Sequence, residues 1–163
     1  MNKIHPTAII YPNVTIEDNV EIGPYCIIGA PPESIKYYSK PNDNGVLIKT
    51  GTIITGHVTI DSGTTKDTTI GKDNFIMKGV HIGHDCILGD NITIAPHVLI
   101  GGFVTIGDYT NFGMGAVVHQ RLYIPSKCMI GMNSTITKTT EMFLNGVYAG
   151  SPAKFRRLNN RKY

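Results

Sequence analysis

Aliphatic side chains recur at every sixth position along most of the chain. An uninterrupted run begins at Ile70 and ends at Ile136, and shorter runs with the same spacing cover residues 4–28 and 48–60. A spacing of six does not fit the helical repeat of 3.6 residues, but it is a multiple of the two-residue period of a strand. Each hexad therefore predicts one short strand and one turn, and the whole pattern predicts stacked coils of parallel strands around one core.

A second set of small or β-branched residues lies four positions after the aliphatic ones, as at Val80 and Val98. We expect both sets to point inward, with the smaller residues packed behind their larger neighbours. Glycine, Asn and Asp concentrate between the two sets, where corners would need positive φ. All three cysteines, Cys26, Cys86 and Cys128, belong to the inner set, which favours packing over metal binding or catalysis.

Two segments interrupt the six-residue spacing. Residues 30–45 are polar and rich in proline, which predicts an external loop. A shorter interruption lies between Ile60 and Ile70. Neither segment is expected to join the stacked strands.

The spacing stops after Ile136, so the end of the chain needs a separate interpretation. Ser151 suits an N-cap and Pro152 suits the first turn of a helix. We therefore expect a short helix that covers the last coil. The chain then divides into one domain over residues 1–150, which carries the external loop, and a helical tail over residues 151–163.

Size and charge narrow the possible functions. The 163 residues fit one domain, the charged fraction is 17% and the formal net charge is +3. This balance predicts neither nucleic-acid binding nor attraction to a membrane surface. No apolar run resembles a signal peptide or reaches the roughly 18 residues of a membrane-spanning helix. We therefore expect a cytoplasmic protein without membrane insertion.

From Ile4 to about Ile136 the sequence resembles the hexapeptide-repeat family of acyltransferases. The resemblance implies that three hexads form an 18-residue coil and that three chains form a homotrimer. It also implies a left-handed coil, against the usual right-handed crossover. The expected fold is all-β: a left-handed parallel β-helix with an inserted loop and a short C-terminal helix.

With an 18-residue coil, His84, Gly102 and Gln120 form an outward column with neighbours about 4.8 Å apart. A histidine has an unperturbed pKa of about 6.5, so it is largely neutral at pH 7 and can take a proton from an attacking hydroxyl or amine. An N–H at Gly102 can face an oxyanion without obstruction by a side chain. The column predicts acyl transfer with His84 as general base.

Several strings resemble one subgroup, the UDP-N-acetylglucosamine acyltransferases that start lipid A synthesis. They are Ile4–Ile9, Ile35–Tyr37, Val58–Ile60 followed by Gly63-Thr64, His81–Cys86 and Ala116–Gln120. The resemblance implies that Asp85 belongs to the catalytic machinery with His84 and that Gly102 lines the acyl-transfer centre. It also implies that four residues lie around the acceptor or the active-site wall: Lys36, His81, His119 and Gln120.

The partner of His84 stays open at this point. Adjacent residues of a strand point to opposite sides. Asp85 can therefore orient His84 only if the corner bends there, and Asp61 or Asp67 could serve instead.

Other features favour a small acyl group. Members of the subgroup carry an acidic residue at the position of Ser34 and a histidine at that of Phe103, and they continue into a long helical C-terminal domain. The string Gly150–Lys154 resembles the close of acetyl-CoA-dependent sugar acetyltransferases. We therefore expect acetyl-CoA, or another acyl thioester, as donor and no metal. Candidate coenzyme contacts are Gly115, Lys154 and Arg157, although a solvated helix face also explains the basic tail.

The expected acceptor is a sugar, or a nucleotide-linked amino sugar for surface polysaccharide or lipopolysaccharide synthesis, with O- and N-acylation both open. One alternative keeps the fold but takes a hydroxyacyl group from acyl carrier protein, which would then be a partner. A second is a zinc hydratase of the carbonic anhydrase type, which needs three converging histidines. A third is a β-helix scaffold without catalysis.

Overall fold

A computed structural model describes residues 1–40 and 43–162. In this part of the chain twenty-two strands form three sheets, and the predicted left-handed parallel β-helix is confirmed. Two positions of the predicted loop, Pro41 and Asn42, lie outside the described residues, as does Tyr163 of the tail. Over the same described ranges, no helix is long and apolar enough to cross a membrane.

The three sheets are the sides of a prism, and successive strands of the chain pass from one side to the next. Sheet A contains β1 (Lys3–Ile4), β4 (Glu21–Ile22), β7 (Ile53–Ile54), β10 (Phe75–Ile76), β13 (Thr93–Ile94), β16 (Asn111–Phe112), β19 (Met129–Ile130), β21 (Gly146–Gly150) and β22 (Ala153–Leu158). Sheet B contains β2 (Ile9–Ile10), β5 (Ile27–Ala30), β8 (Thr59–Asp61), β11 (His81–Ile82), β14 (Leu99–Ile100), β17 (Val117–Val118) and β20 (Thr135–Ile136). Sheet C contains β3 (Val14–Ile16), β6 (Val46–Ile48), β9 (Thr68–Ile70), β12 (Ile87–Leu88), β15 (Thr105–Ile106) and β18 (Tyr123–Ile124).

The coil has the expected length of 18 residues in its regular part. Ile82 pairs in parallel with Ile100, and Val118 pairs with Ile136. Each inward aliphatic residue therefore lies beside its equivalent in the next coil. The column is buried from Ile22 to Ile136, whereas Ile4 in the first coil is 43% exposed.

The inner set of small residues also contains buried polar side chains whose hydrogen bonds join the coils. Asn74 is 1% exposed; its amide nitrogen donates to the carbonyl of Gly89 at 2.9 Å, and its Oδ1 accepts from the N–H of Ile92 at 2.6 Å. Thr52 is fully buried and donates its hydroxyl to the carbonyl of Gly71. These polar residues satisfy backbone groups that the corners leave without strand partners.

The glycines that follow the aliphatic residues are required for a different structural reason from the positive φ that we expected. Positive φ occurs at the third residue of a corner, which is often not glycine, as at Phe103 (60°) and Arg121 (62°). Gly101 instead lies where the next coil passes, and a Cβ there would be 2.8 Å from the nitrogen of Gln120. Close approach of neighbouring coils requires the absence of a side chain at such a position.

The helix predicted for residues 151–163 is wrong. The segment forms β22, which pairs antiparallel with β21 and places Lys154 opposite Ala149. Pairing with the edge of sheet A supplies backbone hydrogen bonds at once, whereas a short helix carries a costly nucleus. The core is closed instead by Tyr148, which is fully buried and whose hydroxyl bonds the backbone of Phe143.

We predict that Asn74→Ala lowers the free energy of unfolding by about 2–5 kcal/mol, because it leaves the Gly89 carbonyl and the Ile92 amide buried without partners. Urea unfolding followed by circular dichroism measures the loss. The exposed Lys72→Ala in the same corner is the control and should change stability by less than about 0.5 kcal/mol. Equal stability of the two variants would contradict the role assigned to Asn74.

Candidate active site

His84 and Asp85 occupy the corner between sheets B and C, directly after β11. His84 Nδ1 lies 2.7 Å from Asp85 Oδ2, and the Asp85 side chain is fully buried. The chain bends here because Asp85 has a φ of 60°, so the alternation of a straight strand does not apply. Asp85 is therefore the residue that orients His84. Asp67 instead accepts the N–H of Gly45 at 2.7 Å.

The Asp85 carboxylate is bound by the short interruption at residues 62–67, which we call the 62–67 insertion. Oδ2 accepts the N–H and hydroxyl of Thr64 at 2.9 and 2.7 Å, in addition to His84. Oδ1 accepts the N–H and hydroxyl of Thr65, both at 2.8 Å, and the N–H of Lys66 at 3.2 Å. Burial would raise the pKa of Asp85, but the hydrogen bonds from His84, Thr64 and Thr65 hold it well below its usual range.

Gly102 lies against the imidazole of His84, in the next coil. A Cβ at Gly102 would be 2.8 Å from Nε2 of His84. Any larger residue would push the ring away from its place above the backbone. Among the described backbone hydrogen bonds, none uses the Gly102 N–H as donor.

His84 faces a cleft of about 700 Å³ formed by the external loop, the 62–67 insertion and two further coils. The predicted residues Lys36 and Gln120 line this cleft, and so does Ser34. Its other walls are residues that the sequence did not single out as binding residues: Glu33, Ile35, Tyr37, Thr65, Phe103 and Arg121.

Phe103 and Arg121 form one wall beside the base. The Phe103 ring meets the His84 ring edge to face, with centroids 5.1 Å apart, and the Arg121 guanidinium lies 4.1 Å from the Phe103 centroid. Both residues follow Asp85 at 18-residue intervals in the same corner column. That spacing is the signal by which the sequence could have located them.

His81 lies beside a second, smaller cavity. Its Nδ1 is 2.8 Å from the hydroxyl of Thr59, and it lines a space of about 260 Å³ together with Asp61. Burial raises the pKa of Asp61, and attraction to His81 opposes that rise. Glu33 lines both cavities, so they adjoin under the external loop.

The other predicted binding residues are not brought to the cleft of His84 within one chain. His119 is exposed, with Nδ1 2.9 Å from the Gln120 carbonyl. Gly115 lies at the corner between sheets A and B, and Lys154 and Arg157 are exposed on β22 of sheet A. Within residues 1–40 and 43–162, no three His, Cys, Asp or Glu side chains come together in a way that could hold a metal ion.

Cys86 follows the pair but is not suited to act as a nucleophile. Burial raises the pKa of its thiol to about 12, so the thiolate is scarce at neutral pH. Its Sγ lies 3.2 Å from the carbonyl oxygen of Gly101, inside the core. The candidate reactive group at this corner is therefore His84 and not Cys86.

The β-helix of hexads, with a carboxylate-bound histidine at a corner cleft, is typical of a hexapeptide-repeat transferase, and comparison with known proteins shows that class. The family model for bacterial transferase hexapeptide (six repeats) matches residues 1–30 and 67–102. A UDP-N-acetylglucosamine O-acyltransferase structure from Moraxella catarrhalis RH4 is 30% identical, with a TM-score of 0.79 over 96% of this chain and 75% of that one. This chain belongs to the hexapeptide-repeat family of acyltransferases, as the sequence predicted.

Two further known proteins match different shares of this chain. An acyl-[acyl-carrier-protein]–UDP-N-acetylglucosamine O-acyltransferase from Thermodesulfovibrio yellowstonii is 46% identical over 61 residues. That match spans 37% of this chain and only 18% of the curated relative. A perosamine N-acetyltransferase from Caulobacter crescentus, solved with CoA and GDP-perosamine, shares the fold at 21% identity, with a TM-score of 0.57 over 96% of this chain and 56% of that one.

We predict that Asp85→Asn destabilises the protein by about 2 kcal/mol at neutral pH, because the new amide group faces the N–H donors of the 62–67 insertion. The folded-state pKa of Asp85 is lower than the unfolded one, so ionised Asp85 stabilises the fold above the unfolded pKa. The difference between wild type and variant should therefore shrink as the pH falls below about 4.

Urea unfolding at a series of pH values measures this difference. The exposed Asp18→Asn is the matched control and should follow the wild-type curve. A difference between wild type and Asp85→Asn that stays constant down to low pH would contradict the linkage.

Proposed function

We propose that this protein is an acyltransferase that moves an acyl group from a thioester donor to a hydroxyl or amino group of a nucleotide-linked amino sugar. The observation that carries the proposal is the His84 imidazole, held by buried Asp85 at 2.7 Å and open to a cleft of about 700 Å³. A histidine on a structural corner needs no buried carboxylate, whereas a general base gains a fixed orientation and tautomer from one.

The hydrogen bond to Asp85 determines which nitrogen of His84 reacts. Because the carboxylate is ionised, Nδ1 carries the proton and donates it to Oδ2, which leaves the lone pair on Nε2. Nε2 lies on the side of Gly102. The base therefore faces the backbone position that we assign to the oxyanion.

The reaction then proceeds by addition and elimination. Nε2 of His84 takes the proton of the acceptor hydroxyl or amine. At the same time the oxygen or nitrogen of the acceptor attacks the thioester carbonyl carbon. The carbonyl oxygen becomes an oxyanion, which the Gly102 N–H stabilises. The intermediate collapses, the C–S bond breaks, and His84 returns its proton to the leaving thiolate.

The charge of the cleft suits phosphate-bearing substrates. Lys36 and Arg121 line it, with Glu33 as the opposing charge. Lysine and arginine side chains bind phosphate oxygens by charge-assisted hydrogen bonds. A nucleotide-linked sugar and a phosphopantetheine thioester both offer such groups.

For the donor we propose acetyl-CoA. Phe103 packs against His84 and narrows the site beside the base, which favours a small acyl group. The second candidate is a hydroxyacyl group on acyl carrier protein, favoured by the name of the curated relative. The three cysteines are free thiols, which agrees with the reducing cytoplasm that we propose as the location.

We also propose a homotrimer. Gly115 lies at the corner between sheets A and B, and Lys154 and Arg157 lie on the side formed by sheet A. His84 lies at the corner between sheets B and C, so a coenzyme site that includes these residues beside it needs a neighbouring copy. Exposed apolar residues support such contacts near the corner of Gly115, with Met114 51% and Met132 65% exposed. Light scattering of the full chain should give three times 17.8 kDa, and a monomer would contradict the proposal.

The main functional test measures the release of free thiol from two donors, acetyl-CoA and acyl carrier protein loaded with a hydroxyacyl group. Each donor is assayed with a panel of nucleotide-linked amino sugars. We predict that His84→Ala lowers kcat by a factor of about 100–10,000 with the fold intact, because it removes the general base. His5→Ala is the control, since the His5 side chain is exposed and its Nδ1 lies 2.9 Å from the hydroxyl of Thr7.

The outcome distinguishes the alternatives. If turnover occurs with only one of the two donors, that donor is the substrate of the enzyme. Equal rates for His84→Ala and wild type would remove His84 from the mechanism, and no turnover or binding with any donor would favour the scaffold interpretation.

A further inference from the structure

The 62–67 insertion contributes more to the site than a wall of the cleft. It supplies five of the six hydrogen bonds that Asp85 accepts, and His84 supplies the sixth. A carboxylate has about four lone-pair sites, so these donors occupy all of its accepting capacity. Two of the residues that bond the carboxylate, His84 and Thr65, also line the cleft.

The insertion is itself fixed to its surroundings. The backbone amide of Gly63 in the insertion and that of Thr68 directly after it donate to the carbonyl of Gly45 at 3.2 and 3.1 Å. A Cβ at Gly63 would lie within bonding distance of the Lys66 carbonyl, so the turn is too tight for a side chain there. The donors of Thr64 and Thr65 therefore approach Asp85 from a rigid backbone.

We propose that Thr64 and Thr65 are positioning residues of the acyl-transfer site, whose hydroxyl groups orient Asp85 and limit how strongly the His84–Asp85 pair holds a proton. The part that concerns catalysis rests on the function proposed above. The part that concerns the proton affinity of the pair does not.

The physical reason is competition for the negative charge. An ionised carboxylate beside an imidazole stabilises the imidazolium form. Hydrogen bonds from the threonine hydroxyls stabilise the carboxylate in both states of the ring, and they draw charge away from its contact with His84. Without them the carboxylate attracts the imidazolium more strongly, so the pair takes up its proton at higher pH.

Other groups also act on the pair, and none of them is changed by removing a threonine hydroxyl. The titratable or charged groups that face it are Glu33 and Lys36 from the external loop, Asp61 from β8, Lys66 from the insertion, His81 from β11, Cys86 from the same corner and Arg121 from the corner after β17. A shift seen on replacing Thr64 or Thr65 is therefore assigned to the lost hydroxyl.

The chain provides a matched control. The Thr68 hydroxyl is the only buried side-chain oxygen or nitrogen, among those of the described residues, without a hydrogen-bond partner. Thr68→Val makes the same change of shape directly after the 62–67 insertion, but it removes no side-chain hydrogen bond. Thr64→Val and Thr65→Val each remove one bond to Asp85, at 2.7 and 2.8 Å.

The experiment is an NMR titration of the histidine ring signals, with His84 assigned by its absence in His84→Ala. We predict that the titration midpoint of His84 moves up by about half a pH unit or more in Thr64→Val and Thr65→Val. It should stay at the wild-type value in Thr68→Val and in the hydroxyl-retaining Thr64→Ser and Thr65→Ser. The acidic limb of the kcat/KM profile should move by the same amount.

The outcomes separate this inference from the proposed function. If wild type transfers no acyl group but the His84 midpoint moves as predicted, the function fails and the tuning of the pair stands. If both valine variants titrate like wild type, the inference is overturned whatever the activity. Where a valine variant does not fold, Thr64→Ala or Thr65→Ala gives the same test without the added methyl group.

Discussion

Everything in this molecule depends on the stacking of equivalent residues in successive coils. Because the coil is 18 residues long and the strands are parallel and in register, a side chain lies beside residues that precede and follow it by 18 positions. The core is therefore a column of like residues, and so is the site. One column places His84, Gly102 and Gln120 together, and the neighbouring corner column places Asp85, Phe103 and Arg121 together. A candidate active site therefore needs only different side chains at single positions of a column, because the backbone of the column is the same in each coil.

The sequence predicted the parts of the fold that this stacking controls. The aliphatic positions, the inner set and the external loop all follow from the six-residue spacing. Each hexad forms one side of a coil, and every regular coil has the same cross-section. The glycines lie at corners, as predicted, but the reason given for them was wrong. Gly101 is needed because the backbone of the next coil passes close by, which local φ preferences do not reveal. The end of the chain was wrong because its structure is decided by a neighbour. Ser151 and Pro152 favour a helix locally, but the free edge of β21 offers strand pairing instead.

The site shows the same division. His84 and Gly102 were predicted from the column, and Asp85 came from the family resemblance. Sequence alternation alone argued against Asp85, because it does not report the bend at a corner with positive φ. The string Gly63-Thr64 was noticed as part of the resemblance, but its contact with Asp85 could not be derived. Residues 62–67 lie outside the repeat, so no spacing relates them to the coil that follows. Contacts of this kind depend on the path of an irregular backbone, which only the structure supplies.

The energetics of Asp85 are consistent with the catalytic role that we propose for this corner. Burying a carboxylate completely is costly, and six donors are needed to offset its desolvation. The equivalent position one coil later holds Phe103, and the next holds Arg121, so the corner geometry itself requires no buried charge. An apolar side chain at position 85 would avoid the buried charge, but it would leave the N–H and hydroxyl donors of the 62–67 insertion without an acceptor. What the buried carboxylate adds is a fixed imidazole whose Nε2 lies on the side of Gly102, which is the arrangement that the proposed general base requires.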